Sequence, residues 1–175
     1  MIKIPIIKLK RFTLRPFRKG DERSLWKNAN NKKIYKNTMT MPYPYTLNEG
    51  RKWVAKNLKE AKSKKPKMVN FVIDINGEVG GSIGFYIEEG CKAEIAYWLS
   101  EKYWGKGIMT EAVKLVTKFG FDELKLRRIY ALVFSFNKSS MRVLEKSGYK
   151  FEGILRKNAK KEDKFLDQYL FAKTI

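Results

Sequence analysis

No histidine occurs anywhere in the sequence, and cysteine occurs once, at Cys91. Without imidazole, Ser-His and Cys-His nucleophilic pairs and imidazole metal ligands are excluded, so no metal is expected. Proton transfer has to come from carboxylates, hydroxyls or main-chain groups. A lone cysteine also excludes an internal disulfide and a thiolate cluster, which fits a reducing, cytoplasmic setting. Cys91 lies between Gly90 and a strand-like run and reads as an incidental thiol rather than a nucleophile. Long apolar runs are missing too. The opening MIKIPIIKLK is broken by lysine and proline, and no window approaches the ~18 to 20 apolar residues of a membrane helix, so a soluble protein is expected.

Acidic residues are scarce: 18 Asp and Glu against 38 Lys and Arg leave a formal charge of +20, which draws anions toward the surface. A nucleotide cofactor, RNA and an acidic membrane all qualify as partners, and a solvated lysine-rich surface explains the charge equally well. With 43% hydrophobic residues the chain is too apolar for disorder, and 175 residues suit one domain spanning 1–175.

Leu9 to Phe17 alternates apolar and basic residues up to Pro16 and reads as a first strand. Asp21 is the expected cap of a short helix from Glu22 to Asn30, with Leu25 and Trp26 on its buried side. Thr46-Leu47-Asn48-Glu49 is a capping box, so a second helix should start at Leu47; Trp53, Val54, Leu58 and Ala61 form its apolar stripe, and its other face is a row of lysines from Lys56 to Lys67. Val69 to Ile75 and Val79 to Ile87 are strands joined at Asn76-Gly77, a pair that tolerates the two positive φ angles of a type I′ hairpin. Ala93 to Leu99 extends them to three antiparallel strands. Ile108, Ala112, Leu115, Val116 and Phe119 recur at helical spacing from about Lys106 to Phe121. Arg128 to Phe134 is a strand, Asn137 caps a helix that Gly148 ends, and Tyr149 to Leu155 and Phe165 to Ala172 are the last two strands.

Between a strand and an amphipathic helix lies Tyr103-Trp104-Gly105-Lys106-Gly107-Ile108-Met109-Thr110-Glu111-Ala112. Its glycines let the chain turn tightly so that successive N–H groups at a helix start can face one anion, and Lys106 adds a charge. A diphosphate suits such a nest. Taken alone the loop also reads as a simple tight turn. No Gly-x-x-x-x-Gly-Lys-Ser/Thr mononucleotide pattern occurs, and the dinucleotide fingerprint fails because position 110 is threonine.

With its flanks the segment becomes specific. Ala93-Glu94-Ile95-Ala96-Tyr97-Trp98-Leu99, the glycine loop, Asn137-Lys138-Ser139-Ser140, Glu145-Lys146-Ser147-Gly148-Tyr149 and Glu152-Gly153 follow in order. Together they resemble the GNAT superfamily of N-acetyltransferases, most closely its RimJ/RimL branch of ribosomal-protein N-terminal acetyltransferases. The resemblance implies an α+β GNAT fold, a mixed, mostly antiparallel sheet of about six to seven strands flanked by four helices. It implies acetyl-CoA as cosubstrate and direct attack by a primary amine, with no covalent enzyme intermediate. Coenzyme A contacts are expected from Trp98, Leu99 and Ser100 at the strand end, from Trp104, Gly105, Lys106, Gly107, Ile108, Met109 and Thr110 in the loop and helix start, and from Asn137, Ser140 and Lys146. A main-chain N–H near Leu99 would hold the oxyanion, with the pantetheine arm pairing along Tyr97 to Ser100.

Ser140 stands where this branch places a hydroxyl to protonate the departing thiolate, and Leu144 occupies the position of the tyrosine that many GNAT enzymes use instead. Glu94 is the candidate base; Ala159 stands where some relatives carry a glutamate, and Glu162 and Asp163 lie close enough in sequence to compensate. Trp104 and Met109 depart from the commonest loop pattern, Met109 narrowing the floor under the diphosphate. The acceptor expected is a protein N-terminus. A small-molecule amine such as a polyamine or aminoglycoside is the alternative, and a non-catalytic RNA-binding module is the third. Association with the ribosome or RNA through the basic surface, no membrane, and a monomer or homodimer complete the expectations.

Overall fold

The computed structural model describes residues 2–175. Its strands and helices run β1 (Ile7–Lys8), β2 (Thr13–Arg15), α1 (Asp21–Ala29), α2 (Lys32–Asn37), α3 (Leu47–Glu60), β3 (Met68–Ile75), β4 (Glu78–Glu88), β5 (Lys92–Leu99), α4 (Ile108–Asp122), β6 (Arg128–Phe134), α5 (Lys138–Lys146), β7 (Lys150–Lys161) and β8 (Lys164–Thr174). The strands hydrogen-bond in the order β1-β2-β3-β4-β5-β6-β8-β7, a mixed and mostly antiparallel sheet of eight. Eight strands and five helices exceed the expected six to seven and four. The chain divides into two compact units, Met1–Ile87 with Ala96–Ile108, and Glu88–Ile95 with Met109–Ile175.

In the first unit the expected strand from Leu9 to Phe17 is instead a hairpin. The N–H of Leu9 donates to the carbonyl of Phe12 at 2.9 Å, and Lys10 and Arg11 turn outward at the tip. Asn76 (φ 56°) and Gly77 (φ 84°) form the expected turn between β3 and β4. Asp21 does not cap α1. Gly20 takes that position, and the Asp21 carboxylate, buried, accepts both terminal N–H groups of Arg15 at 2.8 Å each, together with the Arg18 N–H at 2.9 Å. The Arg15 Nε bonds Asp74 at 2.6 Å, so one buried guanidinium links β2, α1 and β3. Trp26, expected inside, is 41% exposed, because the stripe that α1 buries runs through Asp21, Leu25, Asn28 and Ala29, one face at helical spacing. Helix α2 was not anticipated. It is only six residues long, and its entry is fixed by the Asn31 side chain, which accepts from the N–H groups of Lys33 and Ile34. Helix α3 begins at Leu47 as expected, with Thr46 accepting from Glu49 N–H at 3.2 Å. Phe17, Leu25, Ala29, Tyr45, Val54, Val72 and Val79 form this unit's core, and Trp53, Leu58 and Trp98 pack against it.

The second unit is built on a parallel pairing of β5 with β6, Glu94 opposite Tyr130, and on the antiparallel β6–β8–β7 run. The β7–β8 hairpin is longer than its sequence pattern suggests, reaching Lys161 and Lys164. Its irregular register between Leu155 and Ala159 and the left-handed Lys157 break the alternation that marks a strand. Asn137 caps α5 and Gly148 (φ 83°) follows its end, as expected. The buried Thr117 hydroxyl bonds the Tyr149 phenol at 2.7 Å.

Gly81 of β4 sets how closely the end of β5 approaches, and Gly80 packs beside Ile75 and Tyr103. A Cβ on Gly81 would meet the Trp98 carbonyl at 2.5 Å, whereas one on Gly80 would first meet the Ile75 Cδ1 at 2.8 Å, a side-chain tip that can move. Gly81→Ala should therefore destabilise the fold by about 1–3 kcal/mol, and Gly80→Ala by less, measured by urea unfolding of the two variants.

Candidate active site

Strand β5 ends at Leu99 and the chain passes through one turn of 3-10 helix, Glu101–Tyr103, into the glycine loop. Two hydrogen bonds fix this passage. The Ser100 N–H donates to the Gly80 carbonyl at 2.8 Å, and the Trp104 indole Nε1–H donates to the Leu99 carbonyl at 2.7 Å. Gly105 (φ 72°) and Gly107 (φ 74°) then take left-handed backbone that side chains disfavour, and the space where a Gly105 Cβ would stand is open to 4 Å. Trp104, Gly105, Lys106 and Gly107 are all exposed. The loop leads straight into α4, a helix of 15 residues whose first N–H groups have no intrahelical acceptors.

Arg11 belongs to this loop and was missed from sequence. It donates to the Lys106 carbonyl, and its Nη2 lies 3.8 Å from where a Gly107 Cβ would be. The contact joins residues 95 apart, so only the basic turn at Lys10-Arg11 hints at it. Lys106 places its ammonium 5.7 Å from the centre of the Tyr103 ring. Exposed left-handed main chain, a helix start and two cations fit the diphosphate of coenzyme A.

Other expected contacts are more restricted. The Trp98 side chain packs on the core, and Leu99, Ser100, Ile108 and Met109 are buried. These residues can offer a ligand mainly their main chain, and the Met109 side chain, 7% exposed, leaves little to narrow the loop surface. The Ser100 N–H and the Leu99 carbonyl are already engaged, so an oxyanion donor at this strand end has to be an N–H before Ser100.

In the second unit, Glu94 is half-buried opposite Tyr130. The Tyr130 phenol donates to Glu88, and Lys92 pairs with Glu88 at 2.9 Å. Burial, and then the negative charge of Glu88, raise the Glu94 pKa. The hydrogen bond from Tyr130, and then that from Lys92, lower the Glu88 pKa. Two neighbouring carboxylates are thus pushed in opposite directions, the pattern that separates a proton-accepting group from one that stays ionised. Arg128 beside them is held by Glu152, Nη1 to Oε1 at 3.0 Å. Glu88 is readable from sequence as one member of a local acidic pocket with Glu89, Glu94 or Glu162, but its bond to Tyr130 is not, because the phenol and carboxylate are 42 residues apart.

Asn137 and Ser140 are brought together. The Asn137 Oδ1 accepts the Ser140 N–H at 3.2 Å and the Ser139 hydroxyl at 3.0 Å. Its Nδ2 makes no hydrogen bond among the described residues. Leu144 is fully buried and Lys146 is exposed in the last turn of α5. Thr110 lends its carbonyl to the Ser147 hydroxyl at 3.4 Å. Glu162 and Asp163 form the tip of the β7–β8 hairpin. Lys164 beside that tip is eight residues along β8 from Ala172, the residue opposite Tyr130, or about 26 Å of extended strand. Neither tip carboxylate stands beside Glu94, and Ala159 is buried.

A mixed sheet whose strand β5 leads through a left-handed glycine loop into a helix is compatible with an acyl-CoA-dependent transferase. The acetyltransferase (GNAT) domain matches residues 11–150. The chain belongs to the GNAT acetyltransferase family. Among curated relatives, the probable N-acetyltransferase YjcK of Bacillus subtilis (strain 168) is 59% identical over 68 residues, 39% of this chain and 38% of YjcK's own length. The structure of a GNAT-family acetyltransferase from Bacillus anthracis aligns with a TM-score of 0.83 at 29% identity, covering 97% of this chain and 98% of that one. Mycobacterium smegmatis RimJ, in complex with CoA-disulfide, aligns at 0.82 with 27% identity, covering 93% and 81%.

The two functions available to Asn137 can be separated. Asn137→Asp keeps an oxygen for the helix cap and loses the amide donor, whereas Asn137→Ala loses both. The alanine variant should lose about 1 kcal/mol of stability and the aspartate variant much less, while both bind acetyl-CoA more weakly, measured by thermal unfolding and calorimetric titration.

Proposed function

We propose that this single transferase domain works in the cytoplasm, moving an acetyl group from acetyl-CoA to the N-terminal α-amine of a protein, with ribosomal proteins the leading class. The observation that carries the proposal is the Glu94–Glu88 pair, with Tyr130 and Lys92 holding Glu88 ionised. The resemblance to the RimJ/RimL branch supports the acceptor class.

Acetyl-CoA supplies the activated acetyl group. Arg11, Lys106 and the loop N–H groups bind its phosphates, and the Asn137 side chain makes a polar contact to the pantetheine. A main-chain N–H at the end of β5, before Ser100, opposes the negative charge that develops on the carbonyl oxygen. Glu94, made more basic by burial and by Glu88, takes the proton that the ammonium must lose, directly or through water. The Ser140 hydroxyl passes a proton to the departing thiolate. No serine or cysteine nucleophile is required.

Proton arithmetic supports that acceptor. An α-amine of pKa ~7.8 is roughly 14% neutral at pH 7, against about 0.04% for a lysine side chain. The first needs little help from a base, whereas the second needs a strong and well-placed one.

Glu94→Gln should lower kcat/KM for an N-terminal peptide about 10-fold or more at pH 7, with the deficit shrinking toward pH 9 as the amine becomes neutral by itself. Glu88→Gln removes one of the two causes that raise Glu94, so the acid limb of the pH–rate profile should move to lower pH. The stability effect has the opposite sign. Because folding raises the Glu94 pKa, its ionised form costs stability at neutral pH, and the cost is relieved as pH falls through the folded pKa. Glu94→Gln should therefore raise Tm at pH 7 while it slows turnover.

The decisive assay measures CoA release against peptides differing in their first residue, against polyamines and against free lysine. N-terminal peptides should be turned over fastest. Turnover of polyamines alone would transfer the proposal to a small-molecule acceptor, and no CoA release above background with any amine would overturn catalysis.

A further inference from the structure

Helix α3 and the loop after it carry a concentration of charge that the acetyl-transfer site does not use. Between positions 51 and 67 stand eight Lys and Arg and one acid, Glu60, so 17 residues hold +7 of the chain's +20. All eight cations are exposed. Among the described residues only Lys52 has an ion pair, with Glu49 at 3.1 Å, and Glu60 is occupied by the Lys67 main-chain N–H at 2.7 Å.

The arrangement is ordered as well as dense. Lys52, Lys56 and Lys59 follow at i, i+4 and i+7 and share one face of α3, a row about 10 Å long. The residues that α3 buries, Gly50, Val54 and Asn57, occupy the opposite face, so the core turns the lysine row directly to solvent. Lys62 and Lys64 continue the positive surface beyond the helix. Holding like charges this close costs stability, and among the described residues only the Lys52–Glu49 pair and the Lys56–Trp53 contact offset it.

We infer that this face docks on the phosphate backbone of folded RNA. Seven of the eight cations are lysines, flexible point charges without the rigid fork that selects individual carboxylates, which suits a sequence-independent run of phosphates. A membrane is disfavoured because the apolar residues of α3 pack inward, with Val54 in the core and Trp53 and Leu58 against it, leaving no apolar face to insert into lipid. The choice of RNA over DNA rests on the proposed acceptor, since protein N-termini emerge and reside on an RNA particle.

The test is fluorescence anisotropy with a labelled 20-base-pair RNA duplex, the matching DNA duplex, and vesicles containing 30% phosphatidylserine. It is run without acetyl-CoA, so that its outcome is independent of the turnover assay. Wild-type protein should prefer the RNA, with a slope of log K against log salt of roughly −3.6 to −4.5, as expected for four or five neutralised phosphates. Reversing Lys56, Lys59, Lys62 and Lys64 to Glu should weaken binding at least 10-fold more than reversing Lys32, Lys36, Lys150 and Lys160, which changes net charge equally. Replacing the same four α3-face lysines by Gln should reproduce most of the loss if the reversed protein folds poorly. Equal losses from the two sets, or tighter binding to DNA or vesicles than to RNA, would overturn the inference. Intact binding with no amine turnover would leave it standing and remove the catalytic proposal instead.

Discussion

The end of β5 is the point from which the glycine loop of the candidate cofactor site takes its position. Gly80 accepts the Ser100 N–H, and the missing side chain at Gly81 leaves room for the Trp98 carbonyl. The Trp104 indole then ties the loop back to Leu99. A chain held so tightly at the strand end can afford the two left-handed glycines that follow, because the geometry of the loop is set before it begins. Arg11 reaches the loop from the β1–β2 turn and fixes its far side.

Electrostatics operate here on two scales. The chain as a whole repels cations, yet the acceptor of an acetyltransferase is an amine that is mostly protonated at neutral pH. Around Glu94 carboxylates gather: the charge of Glu88 acts on it, that charge maintained by the Tyr130 phenol and Lys92, while Arg128 is bound to Glu152. Salt screens a diffuse surface charge more than it screens partly buried neighbours.

Features governed by neighbours in sequence were legible before the structure. Asn76-Gly77, Thr46, Asn137 and Gly148 dictate backbone geometry within a few residues, and each appears as the local chemistry requires. Features settled by distant partners were not. Asp21 looks like a helix cap until Arg15 claims its carboxylate, and Arg15 itself depends on Asp74, 59 residues away. Trp26 looks buried until the neighbouring stripe through Leu25 and Ala29 faces the core. At the site, Glu94 and the glycine loop carry recognisable patterns, whereas Arg11 and Tyr130 acquire meaning only when folding places them. Glu162, a few positions from a family landmark in sequence, is carried to a hairpin tip.

Cys91 illustrates how much experimental access a sparse residue can provide. It is exposed, left-handed (φ 59°) and the sole thiol, and its carbonyl receives the Arg127 N–H at 2.7 Å, so its main chain is anchored while its sulfur is open. A maleimide dye or spin label would attach at one place, three residues from Glu94, without any engineered cysteine and with no native disulfide to disturb. The unaltered chain is therefore ready for spectroscopy beside its own candidate base.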